Sequence, residues 1–398
     1  MAADNVPITP TIIAKEALAM IDNSMVMGAL VHRQYKQEWN AKVGESITIR
    51  KPNKFSVTAS STRSNTNIAE KSDTLTVDTQ AHVSWAFLSA ELTQTIEDYS
   101  ERYIKPAANA LANSVDVALC ALYKDVYNET GTFGSVPSNF SDLGDAQTRL
   151  DEEAAESPRI AVLSPATNWA MADGLKGTFA AKPANDIHTK GYLGTVAGLD
   201  THMDQNIQTH TTGVHTTSAT PLMSATAVDG ASTLATDGWN SSSSTLTDGD
   251  VITVAAVYAV NPVSKATTGV LRQIVVTTLT TSSGGAMATL PISPTLYDDT
   301  TDYQNVDAMP QSGAAITCAG TESTAYKKNL IFHKNAFALV TLPLAMPANV
   351  WGSRTTYNGL SVRVVKAYDI AEDEEIIRMD ILYGTKTLYP EFACRMTQ

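Results

Sequence analysis

The sequence predicts a mixed α+β chain with a separate all-β module inserted into it. Three observations carry that expectation. Between Gly44 and about Tyr127 a strand, a long polar loop and a second strand feed a long Ala-rich helix. A helix–strand–helix succession then fills about Ser141–Leu175, as in an α/β layer. From about His210 to Tyr326 helix signals vanish and Thr, Ser, Gly, Asp and Asn dominate.

With 398 residues the chain can hold two or three domains. Hydrophobic residues make up 43% and charged residues only 17%, with Thr, Ser, Ala and Asn in place of the missing ions. Such a surface suits close protein–protein contact, because few charges lose water when it is covered. The same composition also fits an extracellular β-rich adhesin or fibre protein. The net charge of −13 argues against wrapping nucleic acid, which needs Lys and Arg on phosphates. It does not oppose a wall around nucleic acid, since an acidic face lets a polyanion slide past. Acidity that only keeps the chain soluble explains the charge equally well. Cys120, Cys318 and Cys394 form no Cys-x-x-Cys pair, so neither a zinc knuckle nor a disulfide framework is expected, and the compartment reads as reducing cytoplasm. Lys15 and Glu16 interrupt the apolar stretch Ile12–Ile21, so no signal peptide is expected, and no run approaches a membrane span.

The elements follow in order. Residues 1–40 read as an arm: Pro7 and Pro10 hold its start extended, then Ile12, Ile13, Ala17, Leu18 and Ile21 recur at helical spacing. Met20, Met25 and Met27 add adaptable apolar surface suited to docking on a neighbour, although a plain core helix explains the same spacing. Next comes a two-stranded arm. Its first strand lies in Glu45-Ser-Ile-Thr-Ile-Arg-Lys-Pro52, its second around Leu75–Phe87, and the polar loop Ser56–Asp73 lies between. Arg50, Lys51, Lys54 and Arg63 gather here against an acidic whole, and a basic arm can seek an acidic patch on another copy. A solvated hairpin without a role is the plainer reading. Leu92, Ile96, Tyr99 and Tyr103 then form a helical stripe that Pro106 interrupts, giving a lead-in helix, a bend and a second helix to about Tyr127. That second piece spans roughly 33 Å at the α-helical rise. Strand Arg159–Leu163 and a helix from Pro165 to about Leu175 follow. In the β module, Val251–Val260 and Val270–Leu279 flank a turn at Asn261-Pro262. The closing section Gly359–Gln398 reads as a hairpin beside the long helix, turned at Glu372–Glu375.

Candidate chemistry is sparse. His188, His202, His210 and His215 share a region, but their spacing is irregular and their surroundings are Thr-rich loop, which does not suit a metal site. Gly191-Tyr-Leu-Gly194-Thr-Val-Ala-Gly198 lacks the Lys-Ser/Thr that a phosphate loop needs and reads as a tight turn. The Asp151-Glu152-Glu153…Glu156 cluster reads as a solvated helix end. No catalytic residue, cofactor or metal is therefore assigned, although carboxylates that converge only in the fold are invisible at this level.

Five stretches occur in one order: Pro106-Ala-Ala-Asn-Ala-Leu-Ala-Asn-Ser-Val-Asp-Val-Ala-Leu119, Arg159-Ile-Ala-Val-Leu-Ser-Pro165, Val196-Ala-Gly-Leu-Asp200, Phe332-His-Lys-Asn-Ala-Phe-Ala-Leu-Val-Thr-Leu-Pro-Leu344, and Arg378-Met-Asp-Ile-Leu-Tyr-Gly384 with Tyr389-Pro-Glu391. They resemble the spine helix, strand-to-helix step, Ala-Gly-Phe-Asp segment, return stretch and closing strands of the P22-type major coat proteins of tailed bacteriophages. The inserted module departs from the family's pattern beyond general β character. The resemblance implies a Hong Kong 97-like capsid fold and a structural, non-enzymatic subunit of an icosahedral shell around double-stranded DNA. It implies residues 1–40 as N-terminal arm and 41–88 as extended loop. It makes 89–170 a peripheral domain with the spine helix, 171–220 and 327–350 the axial domain, 221–326 the inserted domain, and 351–398 the peripheral C-terminal strands. The partners it implies are copies of the chain in hexamers and pentamers, a scaffolding protein, a portal, and a decoration or cement protein. The resemblance further implies that DNA is enclosed without sequence-specific binding, that no membrane is involved and that assembly takes place in the host cytoplasm. Arg50, Lys51, Lys54, Arg63, Met20, Met25 and Met27 are the candidate inter-subunit contacts.

Overall fold

The N-terminal apolar stripe is a core face. Ile13, Ala14, Ala17, Leu18 and Ile21 are all buried along helix α1 (Pro10–Ser24). The computed structural model describes residues 10–34, 46–55, 61, 70–88, 100–175, 193–215, 219–241, 244–298, 303–348, 350–357 and 359–398. They divide into two units. The first takes residues up to Ile49, Ser72–Leu119 and Phe337–Lys386; the second takes Arg50–Lys71, Cys120–Ala336 and Thr387–Gln398.

In the first unit, α1 packs on the antiparallel strands Trp351–Tyr357 and Leu360–Asp369. The expected C-terminal hairpin is present, and α1 packs on its strand Leu360–Asp369. Glu374–Thr387 continues the meander, and its other edge takes Thr79–Leu88, paired from Thr79↔Tyr383 to Leu88↔Glu374. Phe337–Leu342 completes this five-stranded sheet. Asp380 is buried at its centre and accepts hydrogen bonds from Arg363 (2.6 and 3.1 Å), Arg378 (2.7 Å) and Gln80 (3.1 Å), residues on three different strands. Burial pushes its carboxyl up, but these donors outweigh burial and hold it below the usual range.

The second helical piece starts within one residue of Pro106, as the sequence predicts. A π-helical turn (Ser100–Ile104) leads into α3 (Lys105–Cys120), with Pro106 in its first turn, and a 3-10 turn (Ala121–Asp125) ends it. Leu92, Ile96 and Tyr99 lie outside the described residues. Ala107, Ala108, Leu111, Ala112, Val115 and Leu119 are buried along α3. Asp116 uses both carboxylate oxygens, accepting the Val26 (2.7 Å) and Gly28 (2.8 Å) amides at the short helix α2 (Met27–Leu30).

The arm's returning segment is two strands where the sequence reads one. Ser72–Thr76 pairs with Ser46–Arg50, while Thr79–Leu88 belongs to the five-stranded sheet. The break falls at Val77-Asp78. Beside it, a Cβ on Gly384 would lie 2.0 Å from the Thr76 carbonyl oxygen. Backbone cannot yield as a flexible side chain does. Gly384→Ala is therefore expected to destabilise the chain by about 1–3 kcal/mol. A melting midpoint equal to wild type would contradict this close approach.

In the second unit a seven-stranded sheet runs Glu129–Thr130, Ala393–Thr397, Ala325–His333, Arg159–Leu163, Leu199–Met203, Thr195–Val196, with Thr209–Thr211 also on Ala325–His333. Arg159–Leu163 and Leu199–Met203 are parallel, and α5 (Pro165–Leu175) lies in the crossover between them. The buried Ser164 hydroxyl accepts the Thr167 amide (3.3 Å) and Pro165 occupies the first position, which is why the helix starts there. Helix α4 (Phe140–Glu152) starts where the Asp142 carboxylate accepts the Ser138 (2.8 Å) and Asn139 (3.0 Å) amides. Leu143, Leu150, Leu163, Met171 and Met396 share one core cluster. This sheet joins Arg159–Leu163, Leu199–Met203 and Ala393–Thr397. Segments 89–170 and 351–398, both read as peripheral from sequence, and 171–220 and 327–350, both read as axial, contribute strands to this one layer.

The inserted module is all-β. Its six-stranded sheet runs Ile316–Cys318, Val251–Val260, Thr267–Val276, Met287–Leu296, Ala231–Asp237, Leu222–Met223. Leu234, Ile252, Val254, Ile274, Leu290 and Leu296 fill its core. The hairpin turn falls at Asn261-Pro262 as expected, with its second strand starting three residues earlier than the apolar run.

Candidate assembly arm and its anchorage

Arg50 ends the arm's first strand. Its side chain is 79% exposed and lies 3.3 Å from Glu70 on the opposite side of the arm's base. Lys54 and Phe55 are exposed, Phe55 at 67%. Lys51 is half-buried with its Nζ 5.3 Å from the Tyr389 ring centroid. The structure thus keeps three cations of the basic arm together, and Arg63 lies outside the described residues. An exposed pair such as Arg50–Glu70 adds little stability, so these charges remain able to exchange partners.

The methionines divide differently. Met20 is half-buried, but Met25 is 4% and Met27 0% exposed. As docking residues Met25 and Met27 are corrected: both are spent inside their own unit, where the α2 turn capped by Asp116 draws them in.

A seam of buried charges ties the inserted module to the sheet beneath it. Glu129 pairs with Lys328, and Thr397 donates to Glu129 and accepts from Lys328 (2.9 Å). Arg395 stands 3.7 Å from the other Glu129 oxygen and donates to the Gly249 carbonyl of the module (2.8 Å). Burial pushes the Glu129 carboxyl up, but Arg395 and Lys328, with the hydrogen bonds from Lys328 and Thr397, hold it at about 2. Gln273 of the module exchanges two hydrogen bonds with the Glu129 backbone (2.8 and 2.7 Å). Arg272 pairs with Glu153 and lies 4.5 Å from the Tyr127 ring centroid. The expectation of a solvated acidic helix end is therefore corrected at Glu153, which is 8% exposed. A lone Arg in a Thr-rich strand was the only sequence signal for that pair.

The histidine region is part of the same seam. His210 donates from Nε2 to Asp250 (2.8 Å), which leaves Nδ1 to accept the Tyr123 hydroxyl (3.1 Å). Asp250 also accepts the Gly213 and Thr247 amides (3.1 and 2.6 Å). His202 lies 3.3 Å from Asp200, and His215 is buried with neither ring nitrogen hydrogen-bonded. His188 lies outside the described residues. No group of three or more His, Cys, Asp and Glu side chains suited to a metal occurs among the described residues. Chelator treatment is accordingly expected to leave the melting midpoint unchanged, and a drop reversed by zinc would overturn that. Gly191 lies outside the described residues, and from Gly194 the glycine run is a tight hairpin: Thr195–Val196 pairs Leu199–Met203 with Ala197 and Gly198 at positive φ (52° and 74°). Among the described residues, no helix is long and apolar enough to cross a membrane.

A basic arm, a long helix and a module keyed into a sheet by buried ions are parts suited to contact. A family model described as "P22 coat protein - gene protein 5" matches residues 1–397. The chain belongs to the P22 coat protein family. As a member it is a capsid protein of a tailed bacteriophage, and its described residues form a mixed α+β architecture. This coat protein is also similar to a "Major capsid protein" of Acyrthosiphon pisum secondary endosymbiont phage 1, at 31% identity over 105 residues. That match covers 26% of this chain and 25% of the relative, so the coat protein spans about a quarter of the curated relative it matches. Solved structures similar to it include one from Mycobacterium phage Che8, at 15% identity, 94% of this chain, 90% of that chain and a TM-score of 0.49. Another is the capsid of cyanophage P-SCSP1u, at 11% identity, 89% of this chain, 83% of that chain and a TM-score of 0.47.

Proposed function

We propose that this coat protein builds the icosahedral shell itself. Copies make heterologous ring contacts that close into hexamers and pentamers, and the arm within residues 41–88 reaches a neighbour and ties rings together. The family match over residues 1–397 carries the reading. The exposed cations at Arg50 and Lys54, on an otherwise acidic chain, support a clasping arm that seeks acidic groups of an adjacent copy. Each contact is modest, and the shell multiplies it. Residues 1–40 would serve as a second tie. The acidic balance suits a wall that encloses double-stranded DNA without binding its sequence. A scaffolding protein, a portal and a decoration or cement protein complete the proposed partners. Assembly is proposed to take place in the bacterial host's cytoplasm, and no catalytic step is assigned. Electron microscopy of the expressed chain, with and without its neighbouring genes, tests the reading: closed round shells are expected, and fibres or a permanent monomer would overturn it.

A further inference from the structure

Lys71 stands at the foot of the arm's returning strand. Its Nζ lies 4.0 Å from the ring centroid of Tyr297 and 4.0 Å from that of Tyr303. The two rings are 6.2 Å apart and inclined by 44°, so one ammonium meets both faces of a cleft. Both rings belong to the inserted module, just beyond its strand Met287–Leu296. Asn305 holds the loop that carries them. It accepts the Tyr297 amide (2.9 Å), returns its own amide to the Tyr297 carbonyl (3.0 Å) and donates its side chain to the Thr295 carbonyl (2.7 Å). The adjoining Val306 is fully buried in the module's core. The seat is therefore tied to a rigid element. On the arm's side, the Lys51 amide donates to the Lys71 carbonyl (2.8 Å), and the Tyr303 hydroxyl reaches Asn53 (3.5 Å). Residues on both sides of the arm's foot are thus linked to one aromatic pair.

We propose that this pair is the module's handle on the arm. Lys71 seated between Tyr297 and Tyr303 holds the arm's two described ends, residues 50–55 and 70–71, against the module, and so presents Arg50 and Lys54 to the next copy in one orientation. The inference rests on the reading of the arm as a clasp. An arm ordered before contact spares the contact that ordering entropy, so the seat speeds shell nucleation without adding a bond between copies.

Hydrogen exchange on the unassembled full chain reads the seat without any need for shells. K71M keeps the alkyl stem and removes the cation. It is expected to speed amide exchange across residues 50–55 and 70–76 about tenfold, while K71R, which restores a cation over the rings, stays near wild type. Y297A/Y303A is expected to match K71M from the other side. Exchange in K71M equal to wild type overturns the seat, and so does K71R behaving like K71M. K71M shells that nucleate as fast as wild type, despite a loosened arm, overturn the presenting role. A wild-type chain that never forms shells sinks the coat reading, whereas the exchange result still decides the seat.

Discussion

Glu129→Ala is expected to destabilise the folded chain by about 3–5 kcal/mol, the usual cost of breaking a buried ion pair by removing one partner. The reason lies in what remains. Lys328 is 2% exposed and Arg395 0%, and both face Glu129. Without the carboxylate, two cations stay in a dry site with like charge beside like charge. Burial already pushes the Lys328 ammonium down, and its partner's loss removes the pull that opposes this. Urea unfolding of the unassembled subunit measures the effect; a midpoint within about 0.5 kcal/mol of wild type, the range of ordinary surface changes, would discard it. Replacing Glu129, Lys328 and Arg395 together by Met should recover much of the loss, because desolvation of all three charges then disappears.

The same cluster fixes an acid limit. Glu129 has a folded pKa depressed from 4.5 to about 2. Its stabilisation is complete above pH 4.5 and is lost as pH falls from there towards 2. The gap between wild type and Glu129→Ala should therefore narrow over that window. His215 acts earlier: burial lowers its pKa from 6.5, so the unfolded chain takes up protons first as pH drops below 6.5. Asp250 and Glu322 face His215 and pull the other way. A wild-type stability that stayed flat from pH 7 to pH 3 would contradict both groups.

The second large effect is on assembly. Reversing Arg50 and Lys51 to Glu is expected to abolish shell formation and leave a soluble, folded subunit. Arg50 is mostly exposed, so its change costs the fold little. Across a contact between copies, reversal turns attraction into repulsion, and 1.4 kcal/mol is already tenfold in each association step. Sedimentation of reversed and wild-type chains at matched concentration checks it, with circular dichroism confirming the fold. Wild-type shell yield from the reversed chain would remove these residues from the interface.

Much of this was legible in the chain itself. Period and punctuation placed the helix start at Pro106, the strand Arg159–Leu163, the helix starting at Pro165 and the hairpin at Asn261-Pro262, because these are local consequences of side-chain spacing and backbone restriction. The order of segments was enough to indicate the family. Partnership was not legible. Glu129 and Lys328 are 199 positions apart and Lys71 and Tyr297 more than that, and no local pattern records which distant charge or ring the fold brings near. The methionines show the same limit from the other side: Met25 and Met27 look like docking surface until α2 and Asp116 fold them inward.

The sequence by itself indicated most of the helices and strands, since those follow from neighbours a few residues away, but it read the arm's two returning strands as one. Only the tertiary structure decided which charges are buried, which strands share a sheet and what holds the arm's foot. Burial and pairing depend on contacts between residues hundreds of positions apart, and a charge's energy is set by the water that those contacts remove.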